Sequence, residues 1–288
     1  MVQLIKTAYT VLRSGNIIFV CGGNNPEHMR QRFSTYCADN HPDLEIFFPE
    51  FAMHSYFSSG DVPPFDIADF ELLVAQLSHA IVLFPEAPGS YAETGYFSAL
   101  PELAKKTILA MDASYQGKDS FISLGPAVKL NKTSRFNAAI QTSYDSPEFI
   151  DIIDRINRIP LPQHRKDLTI DKFKDLTSYE LYCLIYKCFW LLRIATIEDI
   201  VYILSSIFRS HLSKTKVKKL ISVLVGAQYI IETGPYGHFY ANVKKSDLLK
   251  IKTGRAREKS ELMIDMANIY SECDPEFLHI LEGIQNAA

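Results

Sequence analysis

The chain has 288 residues, 47% hydrophobic and 22% charged, with a formal net charge of −3 at pH 7. That balance excludes a disordered chain and is long enough for two domains with cores of their own. No apolar run is long enough to cross a bilayer and no N-terminal secretion signal is legible, so a cytoplasmic protein without membrane attachment is expected.

In chain order, Asn16 to Cys21 reads as a first buried strand, closed by Gly22-Gly23. A helix runs from the Asn24-Asn25-Pro26-Glu27 stretch to about Asp39. Leu44 to Pro49 is a second strand, and Phe65 to His79 a helix with apolar positions at helical spacing. Ala80 to Phe84 is a third strand, apolar throughout and β-branched at Ile81 and Val82, as a strand covered on both faces requires. Pro85, Pro88 and Gly89 break it, and a helix is expected from Tyr91 to Lys105. Thr107 to Met111 gives a fourth strand, Ser120 to Leu124 is a candidate fifth, and Pro147 to Ile159 a further helix. Strands alternating with helices imply a Rossmann-like or flavodoxin-like α/β fold, a parallel sheet with helices on both faces.

Ile159 to Lys166 reads as a linker, which divides the chain into 1–160 and 161–288. In the second part, helices are expected over Ser178–Ile194, Thr196–Phe208 and Ser213–Gln228. Two strands, Tyr229–Thr233 and His238–Val243, then flank Gly234-Pro235-Tyr236-Gly237. Three helices followed by a hairpin is the winged-helix order. The last two helices, about Arg257–Cys273 and Pro275–Gln285, are expected to be packing elements.

Charge is unevenly distributed. Residues 1–160 carry 12 basic and 18 acidic side chains, whereas 205–257 carry 11 basic and 2 acidic. A strongly basic segment in an acidic protein fits an anionic partner such as nucleic acid, or equally a solvated lysine face. On the third helix, Val217, Leu220, Ile221 and Leu224 recur at helical spacing, which leaves Lys214, Lys216, Lys218 and Lys219 largely outward. With Tyr236, His238, Lys244 and Lys245 around the hairpin, they form a candidate nucleic-acid surface. No Arg or Asn on that helix is placed to read bases, so little sequence specificity is expected. The five cysteines, an odd number without metal-type spacing, read as reduced core thiols, and no metal or cofactor is expected.

The chemistry-bearing stretch follows the third strand. Ser90 can cap the next helix, and Glu93 lies three residues on, the capping-box spacing. Capping is the ordinary role of such a glutamate. Its setting at the carboxyl edge of a strand, with Gly95 removing a side chain nearby, also fits a carboxylate facing a substrate. There it could act as a nucleophile, stabilise an oxocarbenium-like sugar, or hold a ribose hydroxyl. Cys21-Gly22-Gly23 lets backbone approach a phosphate or ribose in front of a helix start, or forms a plain tight turn.

Gly89-Ser90-Tyr91-Ala92-Glu93-Thr94-Gly95 resembles the nucleophile motif of the nucleoside 2-deoxyribosyltransferase-like family, and Phe19-Val20-Cys21-Gly22-Gly23 resembles its first strand and turn. With Ile46-Phe47-Phe48-Pro49-Glu50, Leu83 to Gly95, and Ser120 to Pro126 in the same order, the chain is most similar to the retron effector branch. That resemblance implies a deoxyribosyltransferase-like domain joined to a winged-helix-like DNA-binding domain. It implies a toxin of an anti-phage system, held in check by a reverse transcriptase and its RNA-linked multicopy single-stranded DNA, sometimes within larger particles. The implied activity is cleavage of the N-glycosidic bond of NAD or a related nucleotide. Glu93 would be the catalytic carboxylate, Cys21, Gly22 and Gly23 part of the nucleotide pocket, and Gly89 and Ser90 the presenting turn. Glu86 stands where the transferases carry an Asp, so hydrolysis is expected over base exchange. Glu50 ends the second strand in a comparable place and is a further substrate-binding candidate. The alternative is a transcription regulator that senses a nucleotide without cleaving it.

Overall fold

A computed structural model describes residues 1–12, 17–47, 66–114, 119–137, 139–160, 164–168, 170, 172–210, 212–233, 237–242 and 244–273. Glu50, Tyr236 and the expected helix after residue 274 lie outside them. The chain forms two compact units, one of residues 14–48 and 71–161, the other of 1–13, 49–70 and 162–288.

The chain opens with α1 (Val2–Thr7) and β1 (Tyr9–Leu12), both of the second unit. The first unit is built on a five-stranded parallel sheet of β2 (Ile17–Cys21), β3 (Glu45–Phe47), β4 (Ala80–Leu83), β5 (Thr107–Asp112) and β6 (Ala139–Thr142). Its order is β3-β2-β4-β5-β6. The chain leaves β2 to one side, to β3, and returns on the other side to β4. The topological switch point therefore lies between the carboxyl ends of β2 and β4, where open α/β sheets of this flavodoxin-like order leave a crevice.

Continuous apolar runs explain these strands: every residue of β2 and β4 is buried, as is Thr107–Met111 of β5. On one face, Ile18, Val20, Val82, Phe84, Ile108 and Ala110 pack with Met29 and Phe33 of α2 (Met29–Asn40) and Ile152, Ile153 and Ile156 of α7 (Ile150–Asn157). On the other face, Phe97 of α4 (Pro88–Ala99) lies 5.9 Å from the Phe19 ring. The remaining helices are α3 (Ile67–Leu77), α5 (Pro101–Ala104) and α6 (Val128–Thr133).

Three expectations change in this unit. The helix after β4 begins at Pro88, three residues early, because Pro suits the first helical position and Ala87 is the N-cap. It also ends at Ala99, before Pro101 opens α5, instead of continuing to Lys105. Residues 121–124 are helical: Ser120 Oγ accepts from the Ser123 N–H just ahead of them, and a π-helical turn at Ser123–Ala127 leads into α6. Phe121 and Leu124 are 79% and 63% exposed, which a central parallel strand would not permit. The fifth strand is instead β6, too short and polar to stand out.

In the second unit, β7 (Arg165–Asp167), within what reads as linker, and β11 (Leu249–Ile251) pair antiparallel with either side of β1. The rest runs α8 (Ser178–Leu192), β8 (Ile194–Ala195), α9 (Ile197–Phe208), α10 (Lys214–Gly226), β9 (Ile230–Thr233), β10 (His238–Ala241) and, after β11, α11 (Ala256–Cys273). Capping boxes at Thr177/Glu180 and Thr196/Asp199 start α8 and α9. The second sheet has the antiparallel order β8-β10-β9. Lys187, fully buried in α8, is ion-paired with Asp247 and lies 5.0 Å from the Tyr9 ring and 4.8 Å from the Trp190 ring. Four of the five cysteines are buried thiols, and Cys273 is exposed. No helix among the described residues is long and apolar enough to cross a membrane.

Candidate functional site at the sheet switch point

Cys21 and Leu83 end β2 and β4 as register partners, and the Phe84 N–H donates to the Cys21 carbonyl at 2.9 Å. Beyond them the chain turns through Gly22-Gly23 on one side and Pro85-Glu86 on the other. Glu86 joins the two turns. Its Oε1 accepts from the Gly23 N–H at 2.9 Å and the Arg30 N–H at 3.4 Å, and its Oε2 from the Met29 N–H at 2.8 Å. A helix start attracts an anion through its unpaired N–H groups, and at α2 that anion is this chain's own carboxylate. The glycine pair permits the approach. A Cβ on Gly22 would lie 2.6 Å from Glu86 Oε1 and 2.7 Å from Arg30 Cβ, and one on Gly23 would enter the His28 ring.

Glu93 takes no part in capping. Ser90, at the third helical position, does that work: its hydroxyl accepts from the Glu86 and Ala87 N–H groups at 3.0 Å and donates to the Ala87 carbonyl. This corrects the expected cap at Ser90 with Glu93 as its box partner, and it places Glu93 a turn further into α4. There the residue is half-buried, with Oε2 inaccessible to solvent, and its charge acts on the buried Cys21 thiol. Gly89 and Gly95 of the same helix face open space where a Cβ would stand.

Burial, the largest effect, and then the charges of Glu93 and Glu71 push the Cys21 thiol well above its usual range, against a smaller opposing effect of Arg30. The switch point thus gathers one thiol, the three carboxyl groups of Glu86, Glu93 and Glu71, and the Arg30 guanidinium. Glu71, half-buried on α3, reads from the sequence as surface charge, and nothing in its helical pattern marks it otherwise. Arg30, buried on the first turn of α2, donates through Nη2 to Asn24 Oδ1. Tyr144, whose hydroxyl donates to the Ala110 carbonyl at 2.8 Å, is raised by burial first and then by Glu86 and Asp112. Sequence reasoning reached Glu93, Cys21 and Glu86 through their places at strand ends. Arg30 and Tyr144 carry no such positional signal.

The basic residues of the second unit are partly engaged. On α10, Lys214 pairs with Glu198, Lys219 pairs with Asp69 at 3.1 Å, and Lys216 lies 5.0 Å from the Phe173 ring. Lys218 is half-buried and near enough to Glu198 to help hold that carboxyl down, after Lys214. His238 begins β10 and is half-buried, Lys244 is exposed, and Lys245 lies 5.3 Å from the Tyr229 ring.

Fold and site together define an α/β protein of flavodoxin-like strand order whose switch point holds a half-buried glutamate, Glu93, on the helix after β4, close enough to act on a buried thiol. A model of the STM3845 retron effector protein family matches residues 26–232, more than two thirds of the sequence, and the chain belongs to that family. It is 33% identical over 147 residues to an Escherichia coli retron Ec86 protein that carries a provisional ribosyltransferase/DNA-binding name, covering 49% of this chain and 46% of that protein. A retron Ec73 protein of Escherichia coli, with the same style of name, is 23% identical over 152 residues, covering 50% and 48%. The matches thus span about half the length of these curated relatives.

Proposed function

We propose that this protein is the toxin effector of a retron anti-phage system and that its first unit hydrolyses the N-glycosidic bond of NAD or a related nucleotide. The observation that carries this reading is the release of Glu93 from capping and its place beside Cys21 at the switch point. As the glycosidic bond lengthens, positive charge grows on C1′ and the ring oxygen. Glu93 stabilises that charge or adds to C1′, and water completes the hydrolysis. One well-placed group of this kind contributes about 3–4 kcal/mol. Nicotinamide departs as a neutral molecule, so an NAD substrate requires no acid at the leaving group. Glu86 shapes the Gly22-Gly23 turn, which would flank the bound sugar. The ribosyltransferase part of the relatives' names supports sugar-transfer chemistry.

The order α8-α9-α10 followed by β9 and β10, and the antiparallel β8-β10-β9 sheet, support a winged-helix reading of the second unit, in which α10 would be the recognition helix. Lys214 and Lys216 sit in its first turn, where cations oppose the helix dipole, a cost that makes sense if the face meets phosphates. This unit would hold the RNA-linked single-stranded DNA and the reverse transcriptase that restrain the toxin.

The test is nicotinamide release from NAD by the full-length protein, assayed with its reverse transcriptase and DNA if silent alone. Glu93→Gln, with the pocket's shape retained, is expected to lower the rate by two to three orders of magnitude. An undiminished rate, or NAD and nucleotides left intact by the unmodified protein, overturns the reading.

A further inference from the structure

The start of α2 is capped from a distant part of the chain. Its N-cap residue, His28, makes no side-chain bond to the helix, and the His28 Nδ1 accepts instead from the Asn25 N–H at 3.1 Å. The cap is Glu86, 57 residues from Met29. Its two carboxyl oxygens take the Met29 N–H at 2.8 Å and the Arg30 N–H at 3.4 Å, and the second of these oxygens also takes the Gly23 N–H at 2.9 Å. Three backbone donors thus converge on one half-buried carboxyl group. Its backbone is pinned in turn, the Glu86 N–H donating to Ser90 Oγ at 3.0 Å. The space is full as well, since even a Cβ on Gly22 would lie 2.6 Å from Glu86 Oε1.

Convergent N–H groups at a helix start, at the carboxyl end of a parallel sheet, are the usual seat of a nucleotide's phosphate. Here a side chain holds that seat. We infer that Glu86 is the specificity-determining residue of the site, keeping a terminal phosphate monoester from the start of α2 and so selecting dinucleotides over mononucleotides. The kinetic consequence rests on the glycosidase reading above, whereas the exclusion of phosphate does not. A terminal monoester carries about −1.5 to −2 charge at neutral pH. At α2 it would meet a carboxyl group, with the donors it needs already taken. Each phosphate of a dinucleotide is a diester with a single charge, and the chain continues to a second ribose, so neither phosphate has to end at α2. Selectivity of this kind is set by what the site repels.

Two measurements on the full-length protein separate these levels. NAD and nicotinamide mononucleotide share a leaving group and a ribose and differ in what their phosphate carries. The unmodified protein is expected to favour NAD in kcat/KM, and Glu86→Ala to shift that ratio towards the mononucleotide by about tenfold or more. Because Glu86→Ala also uncaps α2, its response to inorganic phosphate is measured beside it. Phosphate should raise the melting temperature of Glu86→Ala beyond what sodium chloride of equal ionic strength achieves, as the ion takes the place of the carboxyl group. If this variant unfolds in dilute buffer, phosphate should restore its circular-dichroism spectrum. The unmodified protein should show no such excess. Indifference of Glu86→Ala to phosphate, or an equal response in the unmodified protein, overturns the inference whether or not NAD is cleaved. A phosphate response confined to Glu86→Ala, in a protein that leaves NAD and nucleotides intact, sinks the glycosidase reading alone. Phosphate binding with an unmoved substrate ratio would place the sugar away from α2 and overturn the specificity role.

Discussion

His79 is the counterpart of Cys21 at the opposite end of the sheet: a titratable side chain strongly perturbed with no reaction to serve. It is buried just before β4, its Nε2 lies 3.1 Å from the Ile159 carbonyl, and Arg135 Nη2 donates to the His79 carbonyl at 2.7 Å. Burial first, then the nearby Arg135 charge, lowers it to about 4 from the usual 6.5. The ring is therefore neutral in the folded protein at pH 7. Between pH 6.5 and 4 the unfolded chain binds a proton that the folded one does not, so stability rises with pH across that window and is lost as pH falls through it. The loss at pH 4 is on the order of 3 kcal/mol. Urea unfolding at pH 7 and at pH 4.5 should show it, and His79→Gln, which keeps a donor but cannot titrate, should flatten this part of the pH dependence. An equal pH dependence in both proteins would assign the acid sensitivity elsewhere. The contrast with Cys21 shows why a perturbed group alone does not mark a site. His79 faces the Ile159 carbonyl and the cations of Arg135 and Lys106, whereas Cys21 lies near Glu93, which the strand-turn-helix pattern already singled out.

At the scale of elements, what could be read from the sequence divides by the range of the interactions involved. β2, β4 and β5 declare themselves because strands buried on both faces are apolar throughout. β1, β7 and β11 do not: each has three or four residues, β7 is Arg-Lys-Asp and fully exposed, and their pairing joins segments some 155 and 240 residues apart. Glu93 was legible as a residue at a strand's carboxyl edge, but its release from capping was not, because one early proline moved the helix start by three residues. Arg30 and Glu71 join the site only through the packing of α2 and α3. The glycines sort in the same way. Gly22 is hemmed in by Glu86 and by Arg30 Cβ, which is fixed to the α2 backbone, so Gly22→Ala is expected to cost about 2–3 kcal/mol. Gly95 meets nothing and lies inside a helix, where glycine costs about 1 kcal/mol relative to alanine. Gly95→Ala should therefore raise the melting temperature. If the space beside Glu93 serves a substrate, the same change should lower nicotinamide release. A stabilised protein with full activity would place the substrate on another side of the carboxylate.

For the whole molecule, the division at residue 160 that the sequence suggests leaves out the first strand. β1 is the central strand of the β11-β1-β7 sheet, and β7 and β11 have no pairing with each other. The Leu168 N–H donates to the Tyr9 carbonyl and the Lys252 N–H to the Ala8 carbonyl, which extends the ladder at both sides. Leu4, Ile5, Tyr9 and Val11 are buried, and the Tyr9 ring forms one wall around the buried Lys187. Full burial of large apolar side chains is worth about 1.5–3 kcal/mol each, so these four together approach the whole stability of a small domain. A fragment of residues 162–288 is consequently expected to lack a cooperative thermal transition, with Lys187 deprived of an aromatic wall and β7 and β11 of the strand that both pair with. Supplying residues 1–13, as a peptide or by fusion through a short linker, should restore the transition and quench or shift Trp190 fluorescence as the Lys187 cage closes. If the bare fragment melts cooperatively at the temperature of the intact unit, the N-terminal strand is an accessory and the second unit is self-sufficient.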